Sequence, residues 1–92
     1  MDQRLKGSPI STWHGIDFTT QLGDRAILCR LAPETLIYLR DRFAPGLRDS
    51  PLGLFRRLWD EVMTVAVWKE TQGAFETDGT MHLLVEDAKQ AL

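Results

Sequence analysis

The sequence predicts a small α+β domain, and three observations predict it. Apolar residues alternate in two neighbouring segments before residue 32, which is the two-residue period of β-strands. The apolar period becomes helical after Pro33, and a second stretch of helical period follows Pro51. Asp78-Gly79, a dipeptide typical of tight hairpin turns, follows these helices. The predicted order is β-β-α-α-β-β-α, a small antiparallel sheet of three to four strands with two helices packed on one face.

The first twelve residues are polar and contain Gly7-Ser8-Pro9. This composition predicts a mobile N-terminal arm over residues 1–12, followed by a single α+β domain over residues 13–92. Trp13, the first large apolar residue, is expected to pin the end of that arm.

The first hairpin is predicted from two alternating segments joined by a turn at residues 22–24. In residues 14–20, Ile16 and Phe18 share one side of the strand. Residues 25–31 return, with Ile27, Cys29 and Leu31 on the inner face and Ala26, Leu28 and Arg30 on the outer face.

The first helix is expected to begin at Pro33, where the missing N–H costs nothing, with Glu34 favourably placed in the first turn. Leu36, Leu39 and Phe43 follow at helical spacing. Residues 44–46, Ala-Pro-Gly, end this helix.

The second helix is predicted to run over residues 51–71, about 30 Å at 1.5 Å per residue. One broad apolar stripe contains Phe55, Leu58, Trp59, Val62, Val65 and Ala66. The β-branched run at residues 64–67 also favours a strand, so the end of the helix after Ala66 is left open. Val67 and Trp68 fall outside the stripe and would be exposed on a continuous helix.

The C-terminal part is predicted as a hairpin and a helix. Strands over residues 74–77 and 80–85 flank the Asp78-Gly79 turn. Met81, Leu83 and Val85 are expected to face inward, with His82 and Leu84 outward. Residues 86–92 are predicted to form a short amphipathic helix.

Composition points to a cytoplasmic protein. The single cysteine excludes an internal disulfide framework and fits a reducing compartment. The N-terminal residues lack the apolar segment of a signal peptide. The longest uncharged apolar run, residues 62–68, is too short to span a bilayer, so no membrane association is expected.

The charge distribution offers one alternative binding function. The net charge is −2, which argues against nucleic acid as the default partner. Nevertheless, residues 1–57 carry nine Lys/Arg against six Asp/Glu. A candidate polyanion patch comprises Arg40, Arg42, Arg48, Arg56 and Arg57. Asp41 and Asp49 lie among them and no aromatic residue offers a stacking platform, which favours ordinary solvated helix ends.

No residue set indicates catalysis, a metal site or a cofactor. Cys29 is predicted on the inner face of a strand, where burial opposes the thiolate that chemistry requires. His14 and His82 lie far from Cys29 in sequence, and His82 is expected on the opposite face. The glycines occur singly, without a phosphate-binding loop. The sequence therefore predicts a protein that is not an enzyme and has no cofactor.

The apolar residues left over suggest an interaction domain. Candidate interface residues are Val67, Trp68, Leu28 and Leu84. The second sheet face could be covered by the Trp13 arm, by the last helix or by another chain. The function predicted is a non-enzymatic interaction or adaptor domain that binds a second copy of itself or another protein. The alternative is weak nucleic-acid or polyanion binding through the arginine patch.

The same features resemble a known family. They include the alternating residues 27–31, Glu34 and Leu36 at the helix start, and Asp78-Gly79 before the last strand. Phe55, Val62, Ala66 and the acidic pair Glu86-Asp87 also match. Over residues 13–92 the chain resembles the small bacterial proteins of domain-of-unknown-function family 1488, which usually have a serine cap where Ala32 stands. The resemblance implies a small α+β fold in the bacterial cytoplasm and no established activity.

Overall fold

Strand pairing begins close to the N-terminus of the computed structural model, which describes residues 4–92. Within these residues the chain forms a four-stranded mixed sheet and four helices, which confirms the α+β class. The elements are β1 (Leu5–Thr12), β2 (Gly15–Leu22), β3 (Arg25–Leu31), α1 (Pro33–Phe43), α2 (Pro51–Arg57), α3 (Trp59–Thr71), β4 (Met81–Leu83) and α4 (Val85–Ala91). The strands are ordered β1-β2-β3-β4 across the sheet.

The segment predicted as an arm contains β1. Residues 5–12 pair antiparallel with β2, with Ile10 opposite Asp17, so the expectation of an arm without regular structure is wrong for them. Residues 1–3 of the predicted arm lie outside the described residues. The polar composition is tolerated because β1 is an edge strand, while its pairing satisfies backbone groups that β2 would otherwise leave open.

The β2–β3 hairpin forms as predicted. Leu22 pairs with Arg25, which leaves Gly23-Asp24 as a two-residue turn with Gly23 at φ +64°. Such a turn matches the twist of the flanking strands. Alternate residues of both strands are buried on one face, including Phe18 and Cys29.

The first helix, α1, begins at Pro33 as expected and packs against the end of β4. The buried Thr35 hydroxyl donates to the Leu83 carbonyl at 2.8 Å, and the Ala32 N–H donates to the same oxygen at 3.2 Å. Leu36 and Leu39 are buried. Phe43, expected on the same apolar side, remains exposed at the end of the helix.

The long helix predicted over residues 51–71 is two helices. Pro51 and the Ser50 hydroxyl, which accepts from the Gly53 N–H at 3.1 Å, begin α2. Leu58 (φ −101°, ψ 18°) then interrupts the helix, and α3 continues to Thr71, which fixes the end that the sequence left open. The interruption coincides with tertiary packing, because Phe55 before Leu58 and Trp59 after it both contact the Phe18 ring of the sheet.

The predicted Asp78-Gly79 hairpin is wrong. Residues 74–77 form no strand, although the Glu76 N–H donates to the Thr80 carbonyl at 2.8 Å around a turn. Instead β4 pairs with β3, and the pairing is parallel. Three helices connect β3 to β4 and carry the chain back to the start of the sheet. The chain therefore enters β4 in the same direction as β3. Val85, expected in the strand, begins α4.

The core lies between the helices and one face of the sheet. Phe18, Phe55 and Trp59 form a three-ring cluster, with ring centroids 5.0 to 5.9 Å apart. Met81 and Leu83 of β4 and Ala88 of α4 extend this core. The opposite face of the sheet is covered by no helix among residues 4–92, and we call it the open face.

Candidate functional site

An ion pair lies at the centre of the open face. Asp17 of β2 and Arg30 of β3 are directly opposite each other in the sheet. The Arg30 Nε donates to Asp17 Oδ1 at 2.7 Å and its Nη2 donates to Oδ2 at 3.0 Å. This two-bond geometry fixes both side chains relative to the sheet.

The electrostatics of the pair are internally compensated. The hydrogen bond from Arg30 holds the pKa of Asp17 below its ordinary value of 3.8. The same bond raises the pKa of Arg30. Both groups therefore stay charged at neutral pH, and the centre of the open face has no net charge from them.

Exposed apolar side chains lie near this pair on two strands. Leu28, two residues before Arg30 on β3, is 47% exposed. Ile10 of β1, opposite Asp17, is 61% exposed. Ala26 on the same face of β3 is also exposed. The strand alternation that buries Ile27 and Cys29 puts these residues on the open face. The register also places Thr19, opposite Leu28, and Lys6, opposite Thr19, on this face, so apolar and polar side chains are mixed there, and such a surface is suited to binding rather than to chemistry.

A depression of about 370 Å³ lies at one end of the open face. Its lining residues are mixed in character: Trp13, His14, Arg30, Glu34, His82 and Leu84. Trp13, in the β1–β2 turn, is 84% exposed and stacks on His14 with 3.4 Å between ring centroids. Trp13 therefore pins no arm. Neither it nor α4 covers Leu28, which answers two of the alternatives left open by the sequence.

The four predicted interface residues fall into two separate groups. Leu28 and Leu84 are exposed at the open face and its end. Val67 is exposed on α3, in the helical layer, whereas Trp68 is half-buried rather than exposed. The helical pattern alone did not predict the partial burial of Trp68, because α3 packs against β4 and α4 as well as α2. One surface cannot include all four residues.

The predicted arginine patch is interleaved with acids. Arg40 and Arg48 line one shallow depression together with Asp41 and Asp49. Within it, Arg40 pairs with Asp41 at 3.0 Å. The depression therefore contains as many carboxylates as guanidinium groups.

The remaining arginines of the patch do not add to that depression. Arg57 pairs with Asp49 at 3.2 Å, and Arg42 donates to the Tyr38 hydroxyl and to the Leu92 carbonyl. Arg56 is exposed on α2. Polyanion binding through these five residues remains a prediction.

Cys29 and the histidines do not converge. Cys29 is fully buried, and burial raises the pKa of its thiol to about 12. Cys29 is opposite Met81 and Arg30 is opposite His82, so Cys29 and His82 point to different faces, as the sequence predicted. Among residues 4–92 no three or more His, Cys, Asp and Glu side chains are grouped to hold a metal ion.

The Asp17–Arg30 pair was not among the predicted site residues, although the sequence contains a signal for it. A two-residue Gly23-Asp24 turn pairs Leu22 with Arg25, and counting five residues away from the turn on each strand pairs Asp17 with Arg30. Both are also at outward positions of their strands. Turn length and strand period together would have found the pair.

Comparisons with known proteins support the fold and assign no activity. No known family's sequence profile and no curated protein matches this chain. The structure is similar to the crystal structure of a protein of unknown function from the DUF1488 family of Shewanella loihica, with a TM-score of 0.64. The two chains are 23% identical, and the match covers 89% of this chain and 93% of the other. The predicted resemblance to that family is thus confirmed at the level of the fold. Helices long and apolar enough to cross a membrane do not occur in residues 4–92.

Proposed function

We propose that this chain is a non-enzymatic interaction domain that binds a protein partner on its open face. The observation that carries the proposal is the exposure of Leu28 and Ile10 around a compensated Asp17–Arg30 pair. A strongly charged partner would find no excess charge in this pair. The partner expected is therefore a protein with an uncharged, mainly apolar surface.

The sheet face is a better candidate than the sheet edge. Of the two edge strands, β4 is only three residues long, and β1 contains Gly7 and Pro9 and shifts its register between Lys6 and Ile10. Proline and irregular pairing at an edge hinder the addition of another strand. A partner is therefore expected to lie across the strands.

The size of the face suits a transient partner. Four strands about 4.8 Å apart, each up to eight residues of about 3.3 Å, give at most roughly 500 Å² per partner. This area is at the low end of specific protein interfaces. The domain is therefore expected to act as an adaptor that binds and releases.

The non-enzymatic part of the proposal has its own support. The thiol of Cys29 is buried with a raised pKa, and the Asp17 carboxylate is occupied by Arg30. Neither group is available as a nucleophile or a base. The proposal includes the bacterial cytoplasm as the location, supported by a single cysteine that remains a free thiol.

The test is native mass spectrometry of the full chain isolated gently from its own cells, as wild type and as two variants. Leu28→Arg places a charge on the open face, and Val67→Arg places the same charge on an equally exposed site of α3. We expect a stoichiometric partner protein on the wild type and on Val67→Arg, and its loss from Leu28→Arg.

Hydrogen exchange on the isolated complex should show slower exchange in β2 and β3 than in the free chain. A partner retained by Leu28→Arg would contradict the proposed surface. A mass of two identical chains lost only in Leu28→Arg would make the partner a second copy. A bound nucleic acid would instead favour the arginine patch.

A further inference from the structure

The turn between β1 and β2 contains residues that tight turns seldom use. Thr12 pairs with Gly15, so Trp13 and His14 are the two residues of the turn. Such positions usually hold glycine or small polar residues, which suit the turn backbone and contact water. Trp13 is instead 84% exposed, the largest value of any large apolar side chain among residues 4–92. A departure from the local turn rules at an exposed position indicates a functional constraint.

The turn holds the indole of Trp13 in a fixed place. The His14 N–H donates to the Thr12 hydroxyl at 3.2 Å, and that hydroxyl donates to the Gly15 carbonyl at 3.2 Å. A Cβ on Gly15, which has φ +124°, would collide with the Leu31 carbonyl oxygen, so the turn packs directly on the backbone of β3. The His14 ring stacks on one side of the indole, with 3.4 Å between ring centroids. The other side of the indole is therefore presented to a partner at little further cost in conformational freedom.

The depression beside Trp13, at the end of the open face, has a lining of two kinds. Ala32, Pro33 and Leu84 contribute apolar surface. Glu34 contributes an exposed carboxylate that forms no ion pair or hydrogen bond within residues 4–92. At about 370 Å³ the depression is large enough for one long side chain. Its lining therefore matches a side chain with an apolar stem and a charged end.

The fixed charges favour a cation in this depression. Arg30, which also lines it, donates two hydrogen bonds to Asp17. Asp78 adds a second negative charge near the same guanidinium group, in a smaller depression that Arg30 also lines. A guanidinium group compensated in this way has little attraction for a further anion, whereas the Glu34 carboxylate has no positive partner. The charge left to be neutralised is therefore negative.

We propose that the depression binds an arginine side chain of the partner protein, with the guanidinium group stacked on Trp13 and hydrogen-bonded to the Glu34 carboxylate. A planar guanidinium group can stack on an indole while its edge donates to a carboxylate, and the compact ammonium group of lysine lacks this geometry. The methylene stem contacts Leu84. This inference rests on the proposed function and deepens it: the partner is uncharged and mainly apolar where it meets Leu28, and it carries one arginine at the end of the face.

The first test is an NMR titration of the free chain with Nα-acetyl-arginine methylamide at about pH 7.5, where ordinary imidazoles are mostly uncharged. The control probe is Nα-acetyl-citrulline methylamide, which has nearly the same shape and no charge. The chain has three tryptophans, and the indole N–H resonance of Trp13 is identified by its absence in Trp13→Phe. We expect the arginine probe to shift this resonance with a dissociation constant in the millimolar range, and the citrulline probe to bind at least about fivefold more weakly.

Two variants test the role of the carboxylate. Glu34→Gln keeps the shape of the side chain and removes its charge, and should weaken binding of the arginine probe at least about threefold. Asp60→Asn is the matched control and should bind as the wild type does, because Asp60 is also an exposed acid in the first turn of a helix and lies outside the depression.

Three outcomes of the titration would overturn the proposal. They are equal binding of the arginine and citrulline probes, no shift of the Trp13 resonance up to about 50 mM probe, and unchanged binding in Glu34→Gln. A stronger response to Nα-acetyl-glutamate methylamide would also overturn it, since the depression would then bind an anionic group through Arg30.

The complex isolated from cells separates this proposal from the proposed function. On stepwise dilution, Trp13→Ala should weaken the complex at least about tenfold and Glu34→Gln at least about threefold. A complex that is lost in Leu28→Arg and unaffected by both of these variants would overturn the arginine anchor and leave the interaction domain standing. Specific binding of the arginine probe by a chain that retains no protein partner would support the site and contradict the proposed function.

Discussion

Neighbouring residues of β3 belong to two very different surfaces. Cys29 is fully buried beneath the helices, whereas Leu28 is 47% exposed on the open face. Strand geometry sends them to opposite sides, but only the helical layer makes one side a core. The buried side of the sheet therefore contributes stability, and the proposed binding surface lies on the other side.

Two ion pairs, one in each region, show the same contrast. Lys69 and Asp87 lie in the helical layer, with side chains 8% and 15% exposed and Nζ–Oδ2 at 2.8 Å. Arg30 and Asp17 lie on the open face, with side chains 39% and 26% exposed. A buried pair is costly to break because the remaining charge stays in the protein, while an exposed charge is taken up by water.

The largest contrast is expected in thiol reactivity between the two faces. A thiol reagent at pH 8 should modify Cys29 at least about 1,000-fold more slowly than a thiol introduced by Leu28→Cys in a Cys29→Ala chain. Cys29 reacts only when the fold opens, and burial raises its pKa to about 12. Stopped-flow labelling measures both rates, and urea should accelerate the reaction of Cys29 alone. A fast reaction of native Cys29 would break the comparison and restore it as a catalytic candidate.

The next effect concerns packing on the covered face. Phe55→Ala removes the ring between Phe18 and Trp59 and should lower the free energy of unfolding by about 3–5 kcal/mol. Phe43→Ala removes an identical ring from an exposed position and should cost less than about 1 kcal/mol. Urea unfolding followed by circular dichroism measures both. Similar losses in the two variants would mean that the ring cluster is not the centre of the core.

A smaller effect separates the two ion pairs. Asp87→Asn leaves the Lys69 ammonium buried without its carboxylate and should cost about 3 kcal/mol in the free energy of unfolding. Lys69→Met is the comparison: it leaves the Asp87 carboxylate without its cation, but that carboxylate is more exposed than the Lys69 side chain and keeps the bond from the Leu84 N–H, so this variant should cost less. Asp17→Asn on the open face should cost least of the three. The order is checked by the same urea unfolding, and an equal loss in Asp87→Asn and Asp17→Asn would contradict it.

The exposed pair also predicts a pH dependence. Because Arg30 holds the folded-state pKa of Asp17 below 3.8, the pair stabilises the fold above that value. Its contribution is lost as the pH falls through the lowered pKa. The stability difference between wild type and Asp17→Asn should therefore be constant near neutral pH and shrink towards zero below about pH 3.8. A difference that grows on acidification would reverse the assigned direction.

Local rules predicted the elements that depend on neighbouring residues. The β2–β3 hairpin and the α1 start at Pro33 follow from strand period and from proline geometry. The exposure of Leu28 and Leu84 on the open-face side follows from the same alternation. These features need no knowledge of distant parts of the chain.

The wrong predictions concern segments whose pairing partner is set by tertiary contacts and not by the local sequence. Residues 74–77 were expected to pair with the strand that follows them. That strand, β4, pairs instead with β3, which precedes the helices in the chain. Likewise, the polar composition of β1 predicts an arm, and the segment becomes a strand only through its pairing with β2. An apolar groove of about 280 Å³ is built from β1, β2, β3, α1 and α2 together, so no local pattern could indicate it.

The sequence by itself determined the fold class, the inner face of the central hairpin and the absence of a local catalytic motif, because periodicity and residue chemistry are properties of short segments. Only the tertiary structure decided that β4 runs parallel to β3 and that the open face stays uncovered. The physical reason is that pairing and burial are settled by competition among segments far apart in the chain.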